Sequence, residues 1–147
     1  MKRKLRWQWI LAAVLLGAMA QGLLGLMTRG WVLLTGLPEP IQPLSPETKA
    51  GTVLRSLLLV TAVPLAEEWL FRELLCRWLE QRTAPRIAGL CTAAAFALCH
   101  GSLSGMPALF LFGLCAWLFR EKSGSWLTAV FFHAAYNACA LLLMRWM

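Results

Sequence analysis

The stretch Trp7–Thr28, WQWILAAVLLGAMAQGLLGLMT, carries no charged side chain over 22 residues. About 20 apolar residues suffice to cross the hydrocarbon of a bilayer, so this run reads as a transmembrane helix. Lys2, Arg3, Lys4 and Arg6 stand just before it. A basic start, an apolar run and Ala18-Met19-Ala20 also resemble a secretory signal with a small-residue cleavage site. Yet the run continues to Met27, and Trp31 to Leu37 prolongs it beyond Arg29, further than a signal needs. The segment is expected to be retained as an anchor.

Working outward, the whole chain keeps this character. Its 147 residues are 59% hydrophobic and 14% charged, with mean hydropathy +0.63. Soluble domains run at about 45 to 50% apolar and about 25% charged, so a water-soluble globule is excluded. The formal charge of +7 invites a nucleic-acid reading. The basic residues flank apolar stretches instead of forming one dense run, which excludes nucleic acid and favours anionic lipid. Cys76, Cys91, Cys99, Cys115 and Cys139 are odd in number and form no CxxC pair, so they read as small buried hydrophobes.

Pro38, Pro40, Pro43 and Pro46 break any helix and make one loop. Thr48 to Arg82 then reads as one long helix kinked at Pro64. Ile87 to His100, Ala108 to Phe119 and Trp126 to Met144 are three further apolar stretches, joined by turns at Thr83–Arg86 and Gly101–Pro107. The expected fold is all-α, a polytopic transmembrane helix bundle, divided into an N-terminal anchor helix and Pro-rich loop (1–46) and a helical core (47–147). Some stretches are short for a bilayer about 30 Å thick. Alternating the spans from an inside N-terminus puts the first basic cluster, then Arg77, Arg82 and Arg86, then Arg120 and Lys122 on one side, as the positive-inside rule asks. Trp7, Trp9, Trp31, Trp78, Trp126 and Trp146 fall near span ends, where indoles favour the headgroup level.

Ionisable groups within apolar spans cost about 2.5 to 3.5 kcal/mol each on insertion scales, so they need a reason. Three places hold them: Glu67, Glu68 and Arg72; Phe96 and His100; His133 and Asn137. A spacing of four puts each pair on one helix face, one turn apart. Glu68 and Arg72 have the order that favours an ion pair. Glu67, about 100° round the helix, lacks that cation, and a carboxylate in an apolar surround takes up a proton readily, as a water-activating base must. A bland reading stands beside this one: Glu68 and Arg72 neutralise each other, His100 bonds a carbonyl, and His133 with Asn137 joins two helices. Cys99 beside His100 diverges from it by about 100°, which disfavours a thiol nucleophile.

Glu67-Glu68-x-x-x-Arg72, Phe96-x-x-x-His100 and His133-x-x-x-Asn137, in that order, resemble the three motifs of the CAAX protease and bacteriocin-processing (Abi) family of intramembrane proteases. The resemblance covers roughly Thr61 to Ala140. The family's larger members have more spans, and Glu73 stands where many carry glycine. The resemblance implies an endopeptidase in a bacterial cytoplasmic membrane, acting on a membrane-associated polypeptide. It assigns the catalytic glutamate to Glu67, with Glu68 beside it, the histidines to His100 and His133, and the amide to Asn137. Glu67 and His100 would activate water, and His133 with Asn137 would hold the oxyanion. No cofactor is expected; a zinc-dependent version would use Glu67, His100 and His133 as ligands. The alternative function is a non-catalytic immunity or scaffold protein binding a partner helix through the same polar interior. A proton or solute carrier is disfavoured by the absence of repeat symmetry.

Overall fold

The computed structural model describes residues 7–40 and 48–146. The basic cluster Lys2–Arg6, Pro43, Pro46 and the domain boundary expected at 46 lie outside the described residues. Within them the chain is helical, with no strand.

Helix α1 spans Trp7–Thr35 and ends at Gly36, whose φ of +68° suits a residue without a Cβ. At 29 residues it runs about 44 Å, enough to cross a bilayer. Helix α2, Lys49–Val60, is capped by Thr48, whose side chain accepts from the Gly51 N–H at 3.1 Å. At Thr61 the backbone leaves the helical region (φ −126°, ψ −78°), and α3 follows over Ala62–Glu68. The break lies three residues before Pro64, whose ring has no N–H and crowds the carbonyl four residues back. The long helix expected from Thr48 to Arg82 is therefore kinked at Thr61.

A second departure follows directly. Trp69–Leu75 is a π-helical segment, in which the Cys76 N–H donates to the Phe71 carbonyl five residues back, before α4 resumes over Cys76–Glu80. The sequence gives this no signal of its own. Such segments are rare and frequent at functional sites.

Helix α5, Pro85–Cys99, starts with proline in its first turn, where the missing N–H is harmless, so Arg86 belongs to the helix and not to the turn before it. Its 15 residues reach about 22 Å, too short to cross a hydrocarbon layer about 30 Å thick. Helix α6, Met106–Ser123, ends at Gly124 in the left-handed region (φ +75°), and α7 runs over Trp126–Trp146. Trp7–Thr35, Lys49–Glu80 and Trp126–Leu143 are each long and apolar enough to cross a membrane.

Aromatic rings tie the pieces together. Phe96 of α5 meets Phe71 of the π segment at 5.3 Å and Phe112 of α6 at 5.4 Å, and Phe132 of α7 meets both Phe112 and Phe119 at 5.1 Å. Helix α1 lies along α7, where a Cβ on Gly17 would overlap the Phe132 carbonyl oxygen. The outward faces stay apolar: Leu33 and Leu34 are 85% exposed, which is tolerable only against lipid. Cys91 and Cys99 face outward too, correcting the expectation of burial for these two, whereas Cys76 is buried. In lipid an outward thiol on an apolar helix meets no desolvation barrier.

Candidate active site

Glu68 and Arg72 are wholly buried. Arg72 Nε lies 2.9 Å from Glu68 Oε2, a charge contact out of line for a hydrogen bond, and its guanidinium sits 5.4 Å from the centre of the Phe96 ring. The ring's negative face and the carboxylate together balance a cation no water reaches. The other oxygen, Glu68 Oε1, lies 2.9 Å from His133 Nδ1. Glu68 thus bridges the π-helical element and α7, a link that the i, i+4 reading of Glu68 with Arg72 does not reveal.

Glu67 behaves differently. Its Oε2 is buried and has no hydrogen-bond partner among the described residues. It stands 3.9 Å from His100 Nε2 and 3.9 Å from His133 Nε2. The glutamate and both histidines, from α3, the end of α5 and α7, converge.

Each imidazole is oriented from behind. His100, the residue that ends α5, places Nδ1 2.8 Å from the Phe96 carbonyl. A carbonyl only accepts, so Nδ1 carries a proton, and Nε2 is the nitrogen turned towards Glu67. His133 turns Nδ1 to Glu68 and Nε2 to Glu67. Phe96 packs on His100 at 4.4 Å and Phe112 edge-on to His133 at 4.8 Å. The Phe96 of the Phe-x-x-x-His pattern therefore acts through both ring and carbonyl. About a third of the His100 side chain and of Glu67 remains exposed, against 6% for His133, so access is from the side of Glu67 and His100.

Asn137 lies one turn beyond His133, and its Nδ2 donates to the Leu59 carbonyl at 2.8 Å, fastening α7 to the end of α2 at the kink. The structure brings Asn137 to this carbonyl, not into contact with Glu67. The Leu59 carbonyl and the Thr61 break were missed by sequence reasoning, although Pro64 signalled a disturbed helix. Glu73 pairs with Arg77 at 2.6 Å on an outer face, so its charge does not enter the site.

Tetrahedral zinc ligands with bonds of about 2.0 to 2.1 Å lie roughly 3.3 Å apart, closer than the 3.9 Å from Glu67 to either histidine. Among the described residues no three His, Cys, Asp or Glu side chains are grouped as a metal site requires. The residues as placed do not fit zinc, and the chemistry is derived from the side chains themselves.

Helices long and apolar enough to cross a membrane, with an acid and two imidazoles converging between them, define a class of helical membrane protein. The chain matches the Type II CAAX prenyl endopeptidase Rce1-like family over residues 49–139, from α2 through most of α7, and belongs to that family. The matched region contains all six site residues. No curated protein and no solved structure matches the chain significantly.

Proposed function

We propose that the protein hydrolyses a peptide bond of a membrane-associated polypeptide with a water activated by Glu67 and His100. The observation that carries this is the buried, unpartnered Oε2 of Glu67, equidistant from two imidazole nitrogens. Polar groups 3.9 Å apart suit a bridging water better than a direct bond. Water held there donates one hydrogen to Glu67 and the other to His100 Nε2. Its oxygen attacks the scissile carbonyl carbon as Glu67 takes the proton, and Glu67 returns that proton to the amine nitrogen as the C–N bond breaks.

His133 faces the same point. With Glu67 and Glu68 ionised and Arg72 charged, a charged His133 brings the four groups to zero net charge and supplies an Nε2–H for the oxyanion. Asn137 retains a second amide hydrogen beyond the one given to Leu59, available to the same oxyanion. The family description names prenylated CAAX tails; bacteriocin or peptide precursors and C-terminal sorting signals are the other candidates. The setting proposed is a bacterial cytoplasmic membrane.

The test compares C-terminal peptides released from membranes of cells carrying wild type or Glu67→Gln at equal abundance. At least one fragment should be present only with wild type, and purified protein should release it from the precursor. Identical peptide sets would overturn the hydrolytic reading in favour of a binding protein.

A further inference from the structure

Helices α5 and α6 pack closely because small residues face across their interface. A Cβ on Gly89 would overlap the indole of Trp117, and one on Gly113 would come 3.0 Å from Ala93 Cα. Trp117 therefore lies on Gly89 and floors a groove of about 800 Å³ where α5 begins and α6 ends. Leu90, Leu114 and Leu118 make the apolar wall, and Arg86 and Lys122 stand at its mouth.

The charges at this end are partly used internally. Arg120 forms a forked ion pair with Glu80, with Nη2 donating to Oε2 at 2.8 Å. Glu121, the one acid at the groove, lies 3.8 Å from the same guanidinium. Among the described residues neither Arg86 nor Lys122 forms an ion pair. Two unspent cations from different helices thus line the same apolar trough.

We propose that this groove binds one anionic phospholipid, its phosphate between Arg86 and Lys122 and its acyl chains along Leu90, Leu114 and Leu118. Charge and apolarity are ordered along the groove as they are along a lipid, cations at the bundle end and leucines within. An acidic peptide would leave the leucine wall without a complement. Basic pockets between membrane helices on the positively charged side are suited to anionic headgroups. Trp117 lies about 8 Å inward of Lys122 along the axis, where a lipid's glycerol region falls beneath its phosphate.

The full-length protein in nanodiscs of equal phosphatidylglycerol and phosphatidylcholine is released into native mass spectrometry. Wild type should retain one phosphatidylglycerol, and Arg86→Gln/Lys122→Gln should hold it about 30-fold more weakly, the strength of two cations near an anionic surface. The charge-conserving pair Arg86→Lys/Lys122→Arg and the control Arg77→Gln, at the same end but outside the groove, should retain it. Equal retention by the glutamine pair, equal retention of phosphatidylcholine, or displacement by inorganic phosphate alone would overturn the proposal.

Discussion

At Glu68 one carboxylate serves two partners, Arg72 through Oε2 and His133 through Oε1. Removing its charge strands a buried guanidinium, and breaking such a pair costs about 3 to 5 kcal/mol. Glu68→Gln should therefore lower the thermal midpoint in micelles sharply. Glu68→Gln/Arg72→Met should recover much of that loss, because no uncompensated charge remains, while turnover stays low because His133 loses its ionic support. Full recovery of turnover in the double variant would show that Glu68 serves only to neutralise Arg72. Glu67→Gln should behave in the opposite way, with near-native stability and no turnover, since its Oε2 holds no hydrogen-bond partner among the described residues. Asn137→Ala should impair turnover about 10²- to 10³-fold without abolishing it, the usual effect of losing one oxyanion donor; a kinetic assay on the released fragment checks this.

Among the elements, the kinked segment decides most. Had Thr48 to Arg82 formed one straight helix, the Leu59 carbonyl would accept from the Val63 N–H and Asn137 would have to share it. Pro64→Ala restores a helical donor at that position. It should leave the helix content unchanged by circular dichroism while reducing kcat more than KM, because the bundle keeps its shape but α7 loses its fastening beside His133. An unaltered kcat would show that the break at Thr61 is maintained without proline. Helix α5 contributes through its length. Because it stops at Cys99, His100 at its end is held beside Glu67 within the bundle.

On the scale of the whole molecule, the ion pair that ties two helix ends together sets which side of the membrane each loop occupies. The Glu80–Arg120 tie holds the ends of α4 and α6 together, so Arg82 and Lys122 belong to one face of the bundle. Single cysteines placed at 82 and 122 should be labelled from the same side of sealed vesicles, and one at Leu103, in the loop at the other end of α5, from the opposite side. Labelling of 82 and 122 from opposite sides would refute the bundle. On the proposed reading, in which Glu67 and His100 activate a water, turnover should survive a strong chelator; loss restored by zinc would reverse that reading.

The sequence by itself determined that the protein is a helical membrane protein, and it named six candidate side chains for the site. Hydropathy and a spacing of four are local properties, legible from neighbours in the chain. The contact between Glu68 and His133 joins residues 65 apart, and that between Asn137 and Leu59 joins residues 78 apart. Those pairings, the π-helical stretch and the convergence of His100 and His133 on the Glu67 carboxylate were decided by tertiary packing alone. A buried charge takes whichever partner the folded helices bring to it, and one-dimensional spacing names only the partners on its own helix.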